Sequence, residues 1–555
     1  MTDPEAAPPA TTPTPSSQPG PTASPAVSAF EAEVAAGYDV DGPALELGGL
    51  LLDADTGSDV RIRVPLGMLN RHGLVAGATG TGKTKTLQLL AEQLSGHGVP
   101  VFAADIKGDL SGLIAAGAES PKVTARAESV GQVWTATGYP VEFLAVGGRG
   151  TGVPLRATMT SFGPILLSKV LGLNDTQESS LGLVFHYADQ VGLPLLDLAD
   201  LRAVVGFLLS DEGKADLKGL GGLSSATAGV ILRELVGFEA QGADAFFGEP
   251  EFDSRDLLRT TQDGRGVISL VELPDLQDRP AVFSTFLMWL LADLFHDLPE
   301  LGDPEKPSLV FFFDEAHLLF ADASKEFLRS ITQTVRLIRS KGVGVFFVTQ
   351  RPDDLPEDVL AQLGSRIQHQ LRAATPNDAK ALKATVNTYP TSSYEDLGKV
   401  ILSLGIGEAV VTVMDERGAP TPVAWTRLRA PQSRMGPADR ETMTAQVAGS
   451  VLAPRYAEAV DRDSAREMLA RKLEAGAEAA RAESSRPEPP EPGRVGYPGR
   501  ERSGGTRAPR GRTRTGRSGS GDPVQDILSS PVARDLMRTA AREIVRGVFR
   551  VGRRR

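Results

Sequence analysis

The chain has 555 residues, with 59 basic against 70 acidic side chains, a net charge of −11 and no cysteine. That length fills two or three domains or one large decorated one, and the lack of thiols excludes disulfide scaffolds, cysteine nucleophiles, iron–sulfur clusters and the usual structural zinc sites. The six histidines (His72, His97, His186, His296, His317, His369) include no i, i+4 pair, and the longest apolar run, Phe286 to Ala292, is far too short to cross a bilayer.

Residues 1–28 hold eight prolines among Ser, Thr and Ala, and they lack the basic start and apolar run of a secretory signal. A disordered tail on a cytoplasmic protein without an integral membrane segment is expected. From residue 29 to about 430, short β-branched or aromatic runs alternate with helix-length patterns, as in an α/β domain built on a mostly parallel sheet. The first expected strand, Gly73 to Ala76, runs into Gly77-Ala78-Thr79-Gly80-Thr81-Gly82-Lys83-Thr84 and then a helix over Thr84 to Leu94. This is G-x-x-x-x-G-K-[ST] between a strand and a helix, the setting that identifies a P-loop. Its glycines let successive N–H groups turn around phosphate oxygens, with the positive end of the helix dipole behind them. The nucleotide-binding set runs from Gly77 through Thr84 to Lys85, with Lys83 on the β- and γ-phosphates of ATP and the Thr84 hydroxyl on Mg²⁺.

A second strand over Val99 to Ala104 ends at Asp105-Ile106-Lys107-Gly108-Asp109, where Asp105 or Lys107 touches phosphate or metal-bound water, or else closes a turn with a local ion pair. Residues 110–263 read as a mainly helical insertion with one strand over Val141 to Val146. A strand over Val267 to Glu272 and a helix over Ala281 to Leu294 follow. The apolar run Leu309 to Phe313 then delivers Asp314 and Glu315, Asp314 as a Mg²⁺ ligand and Glu315 as general base for the attacking water. After a helix over Lys325 to Ser340, the strand Val343 to Thr349 ends in Gln350, whose amide can bond the water or γ-phosphate. A strand over Ile367 to Leu371, a helix over Asn377 to Val386 and a closing strand pair, Gly405 to Val411 and Thr421 to Arg427, complete the domain.

Residues 431–484 read as a helical extension and 485–523 as a disordered Arg/Gly/Pro-rich linker. Residues 524–555 read as a basic amphipathic helix that docks on the acidic body or, alternatively, lies on an anionic membrane. Residues 491–555 carry +10, so the rest of the chain carries −21. The linker is either a flexible arm for phosphates or a solvated spacer.

The P-loop, the Asp314-Glu315 strand and the Gln350 strand together resemble the HerA/FtsK branch of P-loop ATPases. GATGTGKT, ADIKGDLSG, FFFDEAHLLF, TQRPDDLPEDVLAQLGSRIQHQLRAATPNDAKAL and SLGIGEAVV are similar to a bacterial family of HerA-like ATPases. Asp314-Glu315-Ala316-His317 also spells the box of a large helicase class, but that class's later Ser-Ala-Thr and paired-arginine motifs do not follow it. The resemblance implies a RecA-like core, a homo-oligomeric ring (a hexamer in the family), hydrolysis of ATP with Mg²⁺ by Lys83, Thr84, Asp314, Glu315 and Gln350, and duplex DNA as the track. It also implies an arginine that completes each site from the same or a neighbouring subunit. Arg366 is the first candidate, with Arg372 and Arg351 behind it. Against this, an N-terminal β-barrel is absent or reduced to a fragment, and the acidic body lacks a broad basic surface. A nucleotide-operated switch acting on a protein client is therefore the competing expectation.

Overall fold

In the computed structural model, which describes residues 25–54, 56–273, 280–320, 325–390 and 392–484, twelve strands form one sheet. In chain order they are β1 (Ala44–Leu51), β2 (Gly57–Pro65), β3 (Gly73–Ala76), β4 (Val101–Asp105), β5 (Val141–Val146), β6 (Val153–Leu155), β7 (Ile268–Glu272), β8 (Leu309–Phe313), β9 (Val343–Thr349), β10 (Ser365–Gln368), β11 (Glu408–Thr412) and β12 (Ala424–Leu428). Across the sheet the order is β2-β1-β12-β11-β10-β3-β9-β8-β4-β7-β5-β6. From β10 to β6 every pairing is parallel, and from β10 back to β2 every pairing is antiparallel. The RecA-like α/β expectation is met.

The unbroken apolar strands follow from burial on both faces. Along β8, Leu309, Phe311 and Phe313 enter one hydrophobic cluster while Val310 and Phe312 enter the other. The first cluster is packed by helices Pro280–Asp297 and Lys325–Ile338 and by the insertion, the second by the P-loop helix Lys83–Gly96. The insertion is helical over Met159–Val170, Asp175–Gln190, Leu198–Leu208 and Ser225–Ala240, with capping boxes at Asn174 and Asp197 starting two of these. Its strand β5 has the expected bounds but joins the main sheet beside β7, and the unforeseen β6 extends it.

Two further departures bear on the site. The strand expected at Ile367 to Leu371 lies at Ser365–Gln368, because pairing begins with Gly364 N–H on Arg71 O at 2.9 Å and Ser365 N–H on His72 O at 3.1 Å. Beyond Gln368 the chain bonds the P-loop instead: His369 N–H donates to Ala76 O at 2.7 Å, and Ala78 N–H donates to Gln370 O at 2.8 Å. Ahead of the P-loop stand helix Pro25–Gly37 and the hairpin β1–β2, which adds to the sheet through β12 rather than forming a barrel.

Residues through Lys472 form one compact unit, and the second begins at Leu473. Within the first, the stretch after residue 430 is laced into the body: the buried Glu92 carboxylate accepts from Gln432 N–H at 2.8 Å and Ser433 N–H at 2.9 Å, and Tyr456 OH donates to Asp256 at 2.6 Å. The described part of the second unit is the end of helix Ala465–Ser484. The linker and terminal basic helix expected from the sequence lie outside the described residues, as do residues 1–24. No helix among the described residues is long and apolar enough to cross a membrane.

At Gly48, paired with Leu428, an added Cβ would stand 1.9 Å from Arg427 O. Gly48→Ala is expected to lower stability by roughly 1–3 kcal/mol, read as a lower urea midpoint. Gly57→Ala, whose methyl would meet only the tip of Leu51 at 3.9 Å, should leave the midpoint in place.

Candidate active site

β3 and β9 pair so that Ala76 lies opposite Thr349, and β9 and β8 pair so that Phe347 lies opposite Phe313. The P-loop, Gln350 and the Asp314-Glu315 pair therefore leave the same carboxyl edge of three adjacent parallel strands, where open α/β sheets bind ligands. This brings together the residues expected from the sequence, with Gln350 between the P-loop and the acidic pair.

In the P-loop, Gly80 sits at φ +83°, a left-handed conformation that favours glycine, and a Cβ on Gly77 would stand 2.4 Å from Cβ of His369. Lys83 is buried, its Nζ donating to Gly77 O at 2.6 Å and Ala78 O at 3.2 Å, so the amine lies inside the loop that would hold the phosphates. Burial lowers this ammonium from its ordinary value, against the raising charges of Glu315 and Asp314. Thr84 follows in the helix's first turn. Lys85 contributes differently from its neighbours, since its ammonium bonds the Gln88 side chain at 3.2 Å and is flanked by Asp109, Asp105 and Glu92. What it can offer a phosphate is its main-chain N–H.

Asp314 and Glu315 are 2% and 5% exposed. Asp314 Oδ1 accepts the Glu315 N–H at 2.9 Å, while Oδ2 is buried without a hydrogen-bond partner. Burial, then the charge of Glu315, pushes the Asp314 carboxyl up to about 6. Glu315 adopts φ +48°, which turns its carboxylate toward Lys107 Nζ, with which it is ion-paired through Oε1. Its Oε2 lies 3.3 Å from His317 Nδ1 without a hydrogen bond. Burial alone would lower the Lys107 ammonium, but the bond and charge of Glu315 outweigh it and hold Lys107 above its ordinary value. Asp105 is spent on the turn, accepting N–H groups of Lys107, Gly108 and Leu110 at 3.2, 2.8 and 2.7 Å.

The orphaned Asp314 oxygen and the Thr84 hydroxyl suit a Mg²⁺ ion. Among the described residues no group of three or more His, Cys, Asp or Glu could hold a metal. The fit is therefore to an ion that takes its remaining ligands from nucleotide phosphates and water.

Gln350 is exposed and lines a cleft of about 250 Å³ with Ala78, Thr79, Leu371 and Arg372. Asp354 fixes its turn by accepting from Thr349 Oγ1 at 2.8 Å and Arg351 N–H at 2.9 Å. Arg351 is held by Asp353 at 3.2 Å and Asp354 at 3.6 Å. Of the arginine candidates, Arg372 is at the P-loop, its guanidinium 3.5 Å from Thr79 O. Arg366 is not: it pairs with Leu74 near the start of the parallel strands, and its guanidinium donates to Thr388 O at 3.1 Å. A strand's start lies at the edge of the sheet away from the P-loop, which is why Arg366 misses the site in its own chain.

Two further elements that sequence reasoning passed over brace the P-loop. His369, fully buried, bonds Thr86 Oγ1 at 2.8 Å. Burial and the Lys83 charge lower it to about 4, so the ring is neutral. Gly407 N–H donates to Thr81 O at 3.1 Å, and Arg126 holds the same turn through Gly407 O at 2.8 Å and Ile406 O at 2.9 Å. The Gly-Ile-Gly-Glu run was the available signal for the second, and nothing local marks the first.

The model of the helicase HerA-like C-terminal family matches residues 51–555. The DNA double-strand break repair helicase HerA of Saccharolobus solfataricus is 22% identical over 394 residues, covering 70% of this chain and 69% of that protein. A probable helicase of Methanocaldococcus jannaschii is 33% identical over 157 residues, 26% of this chain and 28% of its own length. The sequence matches thus leave about a third or more of these relatives uncovered. Among solved structures, the plasmid coupling protein TrwB in complex with the ATP analogue ADPNP is 16% identical at a TM-score of 0.49, covering 73% of this chain and 93% of that one.

Because the Asp314 carboxyl is raised toward 6, its ionised form destabilises the fold above that pH, and the penalty disappears as pH falls toward 3.8. Asp314→Asn is expected to raise stability by roughly 1–3 kcal/mol at pH 8 and by little near pH 4.5. Thermal unfolding of both proteins at the two pH values checks it.

Proposed function

Because the chain belongs to the helicase HerA-like C-terminal family, we propose that it is a Mg²⁺-dependent ATPase working as a homo-hexameric cytoplasmic ring that moves along duplex DNA. The observation that carries the hydrolytic part is the acidic pair at the end of β8, one strand away from the P-loop, with Gln350 between them.

In this reading the P-loop N–H groups and Lys83 take the β- and γ-phosphates, Lys83 exchanging its loop carbonyls for phosphate oxygens. Thr84 and Asp314 would hold Mg²⁺, which would supply neutralising charge on the phosphates. Glu315 takes a proton from the attacking water at Oε2, while Lys107 engages Oε1 and holds the carboxylate in place. Gln350 bonds the water or the γ-phosphate and transmits its loss through the turn clamped by Asp354. Arg372 is the same-chain group for charge developing in the transition state. Arg366 could complete only a neighbouring copy's site.

One observation favours a second reading, a nucleotide-operated switch on a protein client: the first 490 residues carry −21, which opposes phosphate-driven DNA affinity. Steady-state ATP hydrolysis with and without duplex DNA, at low and physiological salt, separates the two. Stimulation of several-fold supports the motor, and turnover indifferent to DNA supports the client. In the same assay Glu315→Gln is expected to lower kcat by about 10²–10⁴. Lys107→Met should lower it by about tenfold or more with ATP affinity little changed, and a normal kcat would remove Lys107 from the positioning role.

A further inference from the structure

Residues 404–407, Leu-Gly-Ile-Gly, lead from the helix Leu397–Ser403 into β11 and take no part in holding phosphate. They are seated on the P-loop all the same. Gly407 N–H donates to Thr81 O at 3.1 Å, and a Cβ on Gly82 would stand 3.2 Å from Gly407 N. The turn is pinned from its other side as well. Arg126 donates to Ile406 O at 2.9 Å and to Gly407 O at 2.8 Å, Leu428 N–H donates to Gly407 O at 3.0 Å, and Glu408 accepts Gly405 N–H at 2.9 Å.

These bonds fix the backbone around Ile406, whose side chain is nevertheless 76% exposed. Leu402, in the last turn of the preceding helix, is 37% exposed. Its carbonyl accepts from Gln370 Nε2 at 2.9 Å, and Gln370 O in turn accepts the Ala78 N–H of the P-loop at 2.8 Å. One uncovered aliphatic side chain is ordinary on a protein surface. Two of them, on elements hydrogen-bonded to a phosphate loop and the more exposed one on a rigid turn, make an apolar surface beside a ligand that is already anchored. The hydrolytic groups decide which part of that ligand arrives here. Glu315 and Gln350 follow β8 and β9, on one side of β3, so the γ-phosphate faces that way. With the β-phosphate inside the loop, the ribose and base leave on the opposite side, toward β10 and β11.

We propose that Ile406 and Leu402 form the apolar platform on which the purine base of the bound nucleoside triphosphate rests. The face of a purine is apolar and its edge polar, so an aliphatic platform covers the face and leaves the edge to water. Pinning the turn beforehand removes the ordering cost that a mobile loop would meet when the base arrives. The platform thus gives a nucleotide an affinity that its phosphates alone lack, and it separates nucleoside triphosphates from bare polyphosphate. This deepens the ATPase reading above and rests on it.

The test uses the full chain with Mg²⁺ and titrates two probes by calorimetry: the non-hydrolysable analogue ADPNP, and inorganic tripolyphosphate, which has the phosphates without the base. Ile406→Ser should weaken ADPNP about tenfold and leave tripolyphosphate within about twofold. Ile406→Leu, which keeps the apolar area, should bind ADPNP within about twofold of the unaltered chain. Equal weakening of ADPNP and tripolyphosphate by Ile406→Ser would mean that the turn supports the P-loop instead of the base. Unchanged ADPNP affinity, with or without a change in oligomeric state by sedimentation, would mean that the base rests elsewhere and that Ile406 at most meets a neighbouring copy. A loss in Ile406→Leu as large as in Ile406→Ser would mean that apolar area is not what binds. Each of these overturns the platform and leaves the ATPase reading intact. Failure of the unaltered chain to bind ADPNP at all overturns both.

Discussion

The site depends on two adjacent carboxylates held where water scarcely reaches them. Phe311, Phe312 and Phe313 are almost wholly buried in the middle of the sheet, and the chain emerges from them directly into Asp314 and Glu315. Neither acid is comfortable there. Burial and mutual repulsion raise Asp314, and Glu315 takes a left-handed backbone conformation unusual for its type. Lys107, just after the adjacent β4, meets the pair by direct contact, and Lys83, in the P-loop helix after β3, acts on it through its charge. Strain and repulsion are thus concentrated where chemistry needs poised charge, and the apolar sheet around them supplies the compensating stability.

The P-loop is braced from the opposite side by strands that contribute none of the nucleotide-binding residues. β10 continues past its last paired residue as His369 and Gln370, which bond Ala76 and Ala78. The turn before β11 bonds Thr81 and is fixed in its turn by Glu408, which accepts Gly405 N–H at 2.9 Å and Trp425 Nε1–H at 3.1 Å. His369 is suited to its place because it is neutral. A protonated ring there would set a second positive charge beside Lys83, and burial already forbids it.

What the sequence disclosed was whatever is encoded within one strand and the turn after it. β3, β5, β8 and β9 have the bounds their apolar runs predict, and the P-loop and Asp314-Glu315 begin where two of those runs stop. What it concealed depends on partners far along the chain. In the hairpin β1–β2 the second strand has alternating, partly exposed residues, and only the pairing of β1 with β12, nearly 400 residues later, makes the hairpin part of the sheet. The same holds for the Lys107–Glu315 pair and for the Thr86–His369 bond. Arg366, expected to complete a site in the same or a neighbouring subunit, lies away from the P-loop of its own chain for a related reason, since proximity in sequence to the P-loop's neighbours says nothing about which end of a short strand a side chain occupies.

The two edges of the sheet are joined by a single rigid element. β10 has four residues, about 13 Å of extended chain, and helix Pro376–Val386 has eleven, about 16 Å. The helix lines the nucleotide cleft with Ala381, Leu382 and Thr385, and its first turn meets the Gln350 loop where Asp378 stands 3.9 Å from Arg351. Just past its other end, Thr388 is held by Arg366 near the start of β10. A helix bound at both ends cannot tilt at one without displacing the other.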